Sequence, residues 1–414
     1  MKETQHIPSG YKSSPLGIIP KDWEVKRLST SFVVQGGYAF KSEEYQEKGI
    51  PIIRISNLPQ NDKYVDFDDC VYCNETDIVP KQYHINKSDL LIAMSGATTG
   101  KVAIYNAMHT AYLNQRVGLF KQISKEISYS YLTYLVTSDM YDNQLRSLLI
   151  AGAQPNIAPS DIEQLRFPIP PIEEQNKIAD ILSLWDTAIS KQTALIEQLT
   201  LRKHGLMQQL LTGKKRLKGF EGKWKEVRLG DVALVIGGGT PNTNIPDYWD
   251  GNIPWFTPSE IGKYKYVNTS ERTISEKGLN DSSAKTLPKG TILFTSRATI
   301  GAKAILTTEA TTNQGFQSFV VTNGNNNEFI YYYLDIILKE IKQKATGSTF
   351  PEVSAESLRK ISIKIPSINE QNAIASVLVN ADVENEIQKQ KLSSLQEQKR
   401  GLMQVLLTGK KRVK

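Results

Sequence analysis

Apolar residues recur in alternating steps of four and three along two stretches of the chain, which places them on one face of a helix. The first stretch carries Ile178, Leu182, Trp185, Ile189, Ile196, Leu199, Leu206 and Leu210. The second carries Ile374, Leu378, Ala381, Leu392, Leu395, Leu402 and Leu406. A stripe with this spacing is typical of the seam of a coiled coil. The pattern therefore predicts two long helices, each of which needs a partner for its apolar face.

Local signals mark where both helices begin and end. Pro171 favours a helix start, and Ser367 with Glu370 forms a potential capping box at the start of the second helix. Gly213 and Gly409 are suited to the position just after a helix, where a left-handed backbone is common. About 40 residues at a rise of about 1.5 Å give each helix a length of roughly 60 Å.

Both seams also contain polar residues at matching places. Gln192 corresponds to Gln388, and Lys203 corresponds to Lys399. Polar seam positions lower stability but can fix the register of two helices. The matching seams favour pairing of the two helices with each other, in the antiparallel sense. The alternative is two unrelated amphipathic helices, each packed on its own domain.

The long helices belong to an internal repeat. Residues 170–218 align without a gap on residues 366–414, with about half the positions identical, including all of LLTGKKR. Weaker matches follow upstream in the same order: Trp23–Leu28 with Trp224–Leu229, Gly36-Gly37 with Gly237-Gly238, Ser95–Ile104 with Ser296–Ile305, Asn114-Gln115 with Asn313-Gln314, and Gly152–Ile157 with Gly347–Val353. The chain thus alternates twice between a variable block and a near-identical block, as a pseudo-twofold molecule would.

The variable blocks have the pattern of mixed α and β structure. Short apolar runs bounded by Gly, Pro, Asn or Asp predict strands at Ile52–Ile55, Leu90–Met94 and Thr291–Phe294, and Tyr129–Val136 and Phe329–Leu338 are predicted helices. The fold class is therefore α+β, with two mixed α/β domains separated by two long helices in an antiparallel coiled coil. The predicted boundaries are an N-terminal extension at 1–20, mixed domains at 21–168 and 218–364, and helical segments at 169–217 and 365–414.

Composition narrows the class of protein only slightly. Hydrophobic residues at 40% and charged residues at 22% are ordinary for a soluble globular protein, and 414 residues suffice for two or three domains. The net charge of +7 indicates only a weak preference for binding polyanions. There is no apolar run long enough to span a membrane, no signal peptide and only two cysteines, so we expect a cytoplasmic protein.

Motifs for catalysis or metal binding are incomplete. Ser95–Val102 (SGATTGKV) resembles a phosphate loop but is one residue short between its glycines, and Val102 occupies the place of the metal-binding hydroxyl. The four histidines do not cluster along the chain, and no HExxH motif occurs. Cys70 and Cys73 form a lone CxxC without a counterpart in the second repeat, which favours structural cysteines over a zinc or redox site.

The sequence also lacks the Asn/Asp-Pro-Pro-aromatic tetrapeptide of amino-methyltransferases. Its one Pro-Pro pair, Pro170-Pro171, is followed by Ile172. We therefore expect no methyl transfer by this chain alone.

The repeated motifs resemble a known family. A tryptophan-led segment (WEVKRL and WKEVRL) opens each variable domain, PIPPIEEQ leads into the first long helix, and GLMQQLLTG ends it. This pattern, repeated once, resembles the specificity subunit of type I restriction-modification systems. The resemblance extends over essentially the whole chain. It is strong at 170–218 and 366–414 and weak elsewhere.

The resemblance implies two target-recognition domains, each of which reads one half of a bipartite, asymmetric site in double-stranded DNA. It implies that the antiparallel helices hold these domains apart and dock two modification (methyltransferase) subunits. Two restriction (translocase and nuclease) subunits join through the complex. The chain itself is then non-catalytic and binds no cofactor, and S-adenosylmethionine, ATP and Mg are expected only on the partner subunits.

Elementary symmetry agrees with that picture. A twofold reader made of identical chains recognises a palindrome, whereas two divergent copies in one chain are free of this constraint. A rigid spacer between the two readers would fix the gap between two different half-sites.

Candidate DNA-binding residues are polar side chains in loops at equivalent places of both repeats. In the first domain they are Lys41, Thr98, Lys101, Arg116, Gln154 and Asn156; in the second they are Thr240, Arg297, Lys303, Gln314, Ser348 and Thr349. Tyr38 and Trp249 are candidates for packing against sugars or methyl groups. For each residue the alternative is a solvated loop or a turn-forming hydrogen bond. The recurrence of Asn114-Gln115 favours such a scaffold role, because contacts specific to a DNA word should differ between repeats.

The Lys-Lys-Arg segments after the helices are interpreted as solvated helix ends, with a phosphate or partner contact as the alternative. Two other functions compete with DNA-sequence recognition by a subunit. One is a stand-alone DNA-modifying enzyme, and the other is a coiled-coil scaffold without sequence specificity.

Overall fold

The computed structural model describes residues 7–59, 63–151, 156–297, 299–347 and 351–413. The chain forms two compact units. Unit 1 consists of Met1–Lys191 and Leu392–Lys414, and unit 2 consists of Gln192–Lys391. This division cuts both long helices, so each helix contributes residues to both units. The domain boundaries derived from the sequence stay a prediction.

Unit 1 contains twelve named strands among the residues that the structure describes. They are β1 (Tyr11–Ser14), β2 (Gly17–Pro20), β3 (Glu24–Arg27), β4 (Phe32–Gly36), β5 (Ile50–Ile53), β6 (Val71–Cys73), β7 (His84–Ile85), β8 (Leu90–Ala93), β9 (Val102–Ile104), β10 (Ala111–Leu113), β11 (Val117–Gln122) and β12 (Arg166–Ile169). Three helices, α1 (Tyr129–Leu135), α2 (Asp139–Ala151) and α3 (Pro159–Glu163), precede the first long helix, α4 (Ile172–Leu210).

Unit 2 follows the same plan. Its strands are β13 (Lys225–Arg228), β14 (Ala233–Gly237), β15 (Trp249–Phe256), β16 (Tyr266–Val267), β17 (Arg272–Ile274), β18 (Ile292–Phe294), β19 (Lys303–Leu306), β20 (Thr311–Thr312), β21 (Gln317–Val321) and β22 (Ser362–Ile365). Its helices are α5 (Leu229–Val232), α6 (Glu276–Asn280), α7 (Asn327–Ile336), α8 (Leu338–Gln343) and α9 (Ala355–Arg359), and the second long helix is α10 (Ile368–Leu407). We call the part of each unit outside α4 and α10 its head.

The two heads have the same strand order. The main sheet of the first head runs β4-β11-β8-β9, and that of the second runs β14-β21-β18-β19, extended by β16. A second sheet pairs β5 with β10 in the first head and β15 with β20 in the second, both in parallel. In each head an antiparallel pair, β3 with β12 or β13 with β22, joins the first and last strands of the repeat. The mixed α and β structure predicted for the variable blocks is confirmed.

Both long helices form where the apolar pattern predicts them. Along α4, Ile178, Leu182, Leu199 and Leu210 are buried, and the intervening seam residues are partly buried. Along α10 the buried seam residues are Ile374, Leu378, Ala381 and Leu406. Gly213 and Gly409, with φ of 69° and 70°, end the two helices in the left-handed conformation that the sequence suggested.

Each head shares an apolar core with helical residues of its own unit. In unit 1, Ile178 and Leu182 of α4 and Leu406 of α10 belong to one cluster with Trp23 and Tyr131 of the head. In unit 2, the corresponding cluster joins Leu210 of α4 and Ile374 and Leu378 of α10 to Phe329 and Tyr332. Burial of large apolar side chains is the main favourable contribution to such packing.

A buried carboxylate on the first turn of α4 organises the end of this core in unit 1. The Arg412 side chain donates from Nε and Nη2 to the two carboxylate oxygens of Glu174, both at 2.8 Å. Trp23 Nε1 donates to the same carboxylate at 3.0 Å, and Asp22 accepts two further bonds from Arg412. Glu174 therefore ties the head and the segment after α10 to the start of α4.

Unit 2 repeats this arrangement at the start of α10. Arg216 donates from Nε and Nη2 to the carboxylate of Glu370 at 2.5 and 2.6 Å, and its guanidinium lies 5.8 Å from the ring centre of Trp224. Glu370, which the sequence suggested as part of a capping box, thus accepts both bonds from an arginine far along the chain. The interpretation of Arg216 and Arg412 as solvated helix ends is wrong, because a buried carboxylate requires a cation.

We expect Glu174→Gln to loosen unit 1 and leave unit 2 unchanged. The amide retains the shape of the side chain but leaves part of the Arg412 charge uncompensated. The expected loss of local stability is about 2 kcal/mol, less than for a fully buried pair because the Arg412 side chain is 22% exposed. Hydrogen exchange should show reduced protection in β3 and β12 alone. Glu370→Gln is the matched control, with its effect in β13 and β22; an equal loss in both units from either variant would contradict this expectation.

We expect low pH to weaken the same contact between Glu174 and Arg412. Burial alone would raise the pKa of Glu174, but hydrogen bonds from Arg412 and Trp23 outweigh burial and hold this pKa below 4.5. A lowered pKa in the folded state adds stability above the unfolded pKa, and this contribution disappears as the pH falls through the lowered value. Protection of β3 and β12 should therefore decrease below about pH 4.5. The Glu174→Gln variant should show a shallower decrease, and an identical pH dependence in both proteins would refute the assignment.

Candidate nucleic-acid interface

Four loops meet at one end of the main sheet in the first head. They follow β4, follow β8, connect β10 to β11, and precede α3; the residues are 36–38, 94–101, 114–116 and 156–157. We call them the first loop cluster. They meet because β4 and β8 both run antiparallel to β11, which brings the ends of the first two strands beside the start of the third.

Backbone hydrogen bonds hold the first loop cluster together. The Gln115 amide donates to the Tyr38 carbonyl, the Met94 amide to the Arg116 carbonyl, and the Ile157 amide to the Met94 carbonyl, each at 2.9 Å. Segments far apart in sequence are therefore fixed against each other by contacts that do not depend on the identity of their side chains.

The second head builds an equivalent second loop cluster from residues 237–240, 295–297, 313–315 and 352–353. The Gly239 amide donates to the Thr312 carbonyl at 2.8 Å, and the Ser296 amide to the Gly315 carbonyl at 2.9 Å. The Val353 amide donates to the Ser296 carbonyl at 3.0 Å. The loops that matched weakly between the repeats are thus the loops that come together in each head.

The recurring glycine pair is required because the backbone of the neighbouring loop passes very close to it in both heads. A Cβ atom at Gly37 would lie 2.2 Å from the carbonyl oxygen of Asn114, and one at Gly238 would lie 2.0 Å from that of Asn313. Real Cβ atoms do not approach an oxygen this closely, so a side chain at either position would force the loops apart. Glycine at these places preserves the geometry of both clusters.

Most of the candidate residues described in the first head are exposed. Lys41, Lys101, Arg116 and Asn156 are exposed, and the last three lie in the first loop cluster. Thr98 is half-buried, and its hydroxyl donates to the carbonyl of Ile55, 43 residues away, at 3.2 Å. Gln154 lies outside the described residues.

The candidates in the second head differ more from one another. Gln314 is exposed and accepts a hydrogen bond from the Thr240 hydroxyl, and Arg297 is exposed with its Nε 3.8 Å from a carboxylate oxygen of Glu352. Lys303 is only 8% exposed. Ser348 and Thr349 lie outside the described residues.

Burial places Lys303 away from the loop surface. Its Nζ lies 2.5 Å from a carboxylate oxygen of Asp335 and 4.3 Å from the ring centre of Tyr331. Burial lowers the pKa of this lysine, and the charge of Asp335 opposes that change. The side chain serves the packing of α7 on β19 in this conformation.

The recurring Asn-Gln pair divides into two roles. Asn114 is 7% exposed and its Oδ1 accepts from the Arg116 amide, while Asn313 Oδ1 accepts from the Gly315 amide at 2.8 Å. These bonds shape the loop, as the recurrence suggested. The neighbouring Gln115 and Gln314 are exposed.

The aromatic candidates also differ. Tyr38 is 36% exposed, and its ring centre lies 4.9 Å from that of Phe40. Trp249 is only 8% exposed, and the guanidinium of Arg272 lies 3.6 Å from its ring centre. The tryptophan is therefore covered, and the group that this site exposes is the arginine. Arg272 was missed from the sequence, because only the pairing of β15 with β17 brings it close to Trp249.

A fifth segment borders each loop cluster and was missed from the sequence. The turn at Ile55–Asn57 accepts the Thr98 bond, and the turn at Pro258–Glu260 lies so close to Gly315 that a Cβ atom there would be 2.7 Å from Pro258 Cγ. Ile50-Pro51 and Ile253-Pro254 recur at equivalent places of the two repeats, four and five residues upstream of these turns, and were the available signal.

The two cysteines lie in surroundings that disfavour the thiolate form. Burial, strengthened by the charge of Asp77, raises the pKa of Cys73 to about 11, and burial also raises the pKa of Cys70. Reactive or metal-binding cysteines have a lowered pKa instead. The described residues contain no group of three or more His, Cys, Asp or Glu side chains that could hold a metal ion, and none of their helices could cross a membrane.

Both heads match one protein family, and the chain is similar to several known proteins. Residues 20–201 and 221–397 match the family described as the type I restriction modification DNA specificity domain. The chain is 28% identical to the putative type I restriction enzyme MjaX specificity subunit of Methanocaldococcus jannaschii, over 98% of this chain and 97% of that subunit. It is 42% identical to the MjaIX specificity subunit of the same organism, over 37% of each protein.

Solved structures show the same fold. A chain from a structure of the type I R-M system aligns with a TM-score of 0.63 and 17% identity, over 94% of this chain and 99% of that one. The S subunit of a type I restriction-modification system from M. genitalium aligns with a TM-score of 0.55 and 17% identity, over 93% and 96%. The two matched segments, one for each head, cover most of the sequence, and the chain belongs to the type I restriction modification DNA specificity domain family.

Proposed function

We propose that this chain is the non-catalytic, sequence-reading specificity subunit of a type I restriction-modification complex. Each loop cluster would read one half of a bipartite, asymmetric site in double-stranded DNA. The observation that carries this proposal is that both heads build a loop cluster on the same strand order. Equivalent backbone hydrogen bonds hold the two clusters, but their exposed side chains differ. A common scaffold with different exposed groups suits two readers of different words, because sequence is read by side chains in the grooves.

Within each cluster, the exposed side chains are the proposed contacts. Arg116, Lys101 and Asn156 would serve the first half-site, and Gln314 and Arg297 the second. Arginine favours guanine and glutamine favours adenine in the major groove, whereas lysine more often contacts phosphate. Lys41, three residues beyond the first loop cluster, and Thr240, at the end of one loop of the second, remain candidates. Arg272 joins them as an exposed cation whose guanidinium lies 3.6 Å from the ring centre of Trp249.

We propose further that α4 and α10 form an antiparallel coiled coil. In unit 2, Gln192 Nε2 donates to Gln388 Oε1 at 2.8 Å, and Arg202 pairs with Glu384. In unit 1, Lys399 Nζ lies 2.5 Å from Asp186 Oδ1. The residue numbers rise along one helix as they fall along the other, which is the relation of antiparallel partners. With the repeated contacts of Glu174 and Glu370, this favours a pseudo-twofold arrangement.

The same helices would dock the partner subunits. Several apolar side chains on them are exposed: Leu184, Leu195, Leu201, Val383 and Ile387. Exposed apolar groups on a helix are suited to a protein interface. We propose two modification subunits at these surfaces and two restriction subunits joined through the complex. S-adenosylmethionine, ATP and Mg would bind to those partners, consistent with the incomplete phosphate loop of this chain.

The test of this function is selection of DNA from a random pool by the chain in complex with its methyltransferase partner. We expect two short, different words separated by a gap of fixed length. Recovery of DNA without any split motif would overturn the proposal in favour of a scaffold without specificity. Transfer of labelled methyl groups from S-adenosylmethionine to DNA by the purified chain alone would instead favour a stand-alone enzyme.

Substitutions in the two clusters should act on different half-sites. Arg116→Ala should reduce discrimination at one half-site by about 1–3 kcal/mol and leave the other unchanged, and Gln314→Ala should do the reverse. The measurement is binding of the complex to duplexes with single base changes in each word. Lys125→Ala is the control, since this exposed lysine follows the opposite end of β11. Equal loss at both half-sites from Arg116→Ala would contradict independent readers.

A further inference from the structure

An aspartate on each long helix receives hydrogen bonds from both the other helix and the head of its unit. In unit 1 this residue is Asp186 of α4. Its Oδ1 accepts from Lys399 Nζ of α10 at 2.5 Å, and its Oδ2 accepts from Lys63 Nζ at 2.6 Å and from the Tyr134 hydroxyl of α1 at 2.9 Å. Three segments that are distant in sequence therefore converge on one carboxylate.

Unit 2 has the same arrangement around Asp382 of α10. Asp382 pairs with Lys203 of α4 and accepts from the Tyr332 hydroxyl of α7. Lys265 Nζ lies 3.6 Å from Asp382 Oδ2 and donates to the Tyr332 hydroxyl at 2.6 Å. Lys265 also pairs with Glu328 at 2.6 Å. A helix aspartate, a lysine from the other helix, a head lysine and a head tyrosine thus recur in both units.

We call each set of one helix aspartate, one lysine from the other helix, one head lysine and one head tyrosine a node. The tyrosine ring strengthens each node. In unit 1 the ring centre of Tyr134 lies 5.6 Å from Lys63 Nζ and 5.5 Å from Lys399 Nζ. In unit 2 the ring centre of Tyr332 lies 4.3 Å from Lys265 Nζ and 5.4 Å from Lys203 Nζ. Each ring therefore attracts one cation from the head and one from the helix, while its hydroxyl bonds the aspartate.

The nodes are sheltered enough for these bonds to matter. The side chains of Asp186 and Asp382 are 19% and 28% exposed. Burial alone would raise the pKa of Asp186, but hydrogen bonds and charges of Lys399 and Lys63 outweigh it and lower the pKa. A shielded carboxylate with several charged donors is held more firmly than an exposed pair.

The position of Asp186 along α4 gives it a distinct mechanical role. The apolar contacts between the first head and α4 centre on Ile178 and Leu182, at the beginning of the helix. Asp186 lies about 6 Å beyond Leu182 and about 12 Å beyond Ile178 along the axis. Apolar packing is not directional, whereas charge-assisted hydrogen bonds are. A second, directional attachment at this distance would stop the head from pivoting about its apolar contact.

We propose that Asp186 and Asp382 are positioning residues that fix the orientation of each head on the helices and thereby restrict the gap lengths that the complex accepts between its half-sites. This inference rests on the proposed function. Without the node, a head would sample a range of orientations, and the loop cluster would reach its half-site at neighbouring gap lengths. The words themselves are read by other residues and should not change.

The experiment uses the complex of the full chain with its methyltransferase partner and duplexes that carry both selected words at gaps varied one base pair at a time. Wild type should bind best at one gap. Asp186→Asn and Asp382→Asn should reduce the preference for that gap over its neighbours by about tenfold, or about 1.4 kcal/mol. Preference for the correct bases within each word should remain. A folded variant with the wild-type gap profile would overturn the inference.

Matched variants separate positioning from general loss of stability. Asp139→Asn removes an ion pair between the first head and Arg400 of α10, in which the two charged groups are 3.2 Å apart and the Arg400 side chain is 77% exposed. Because exposed pairs contribute little, the gap profile of this variant should match wild type. Tyr134→Phe removes the hydrogen bond to Asp186 and keeps the ring, so it should broaden the gap profile less than Asp186→Asn does. If the aspartate variants do not fold, Tyr134→Phe provides the test. A wild-type profile in folded Tyr134→Phe would then overturn the inference.

Failure of the inference is distinguishable from failure of the proposed function. If wild type selects no words, the function is wrong. If it selects two words but tolerates every gap, or if the variants keep a sharp gap, the function stands and the positioning role is rejected.

Discussion

A carboxylate buried in the first turn of each long helix must be neutralised, and in both units an arginine from the end of the other repeat block does this. Glu174 receives Arg412, and Glu370 receives Arg216. Block 170–218 thus supplies a carboxylate to unit 1 and an arginine to unit 2, and block 366–414 does the opposite. Each block is used twice, in two different roles. This dual use requires both blocks to keep a glutamate near the start and an arginine near the end, since loss of either would leave a buried charge unpaired.

The heads are under a different restriction. Their loop clusters are held by backbone hydrogen bonds and by glycines at close approaches, which fix the path of the chain but leave most outward side chains free to differ. Asn114 and Asn313 belong to the fixed part, because their side chains bond the loop itself. Arg116 and its counterpart Gly315 differ completely. The heads diverge more than the helical blocks because backbone atoms make many of the contacts that hold each loop cluster together, whereas side chains make the contacts at the ends of the helices.

Sequence periodicity and the repeat were sufficient to predict the helices and the mixed heads, and to select loops at equivalent places of both repeats as candidates. Local patterns contain this information, because helix seams, strand runs and turn glycines depend on nearby residues. The roles of Arg216 and Arg412 were missed, since their partners lie 154 and 238 residues away. Lys303 was selected for its position in a matched segment, but its side chain lies in β19 beneath α7. Whether a residue at a strand edge faces solvent depends on the helix that covers it, which the sequence alone did not indicate.

The distribution of positive charge bears on how such a chain would hold DNA. Lys63, Lys399, Lys203, Lys265, Lys303, Arg216 and Arg412 all take part in ion pairs within their units. Most of these cations stabilise the attachment of the heads to the helices, and Lys303 stabilises the packing of α7 on β19 within the second head. The carboxylates that pair with these cations are already subtracted in the net charge of +7, so these ion pairs leave that balance unchanged but make the paired cations unavailable as individual phosphate contacts. Together with the small number of exposed cations in the loop clusters, this favours a division of labour in which partner subunits supply most of the hold on the DNA backbone and this chain selects the sequence.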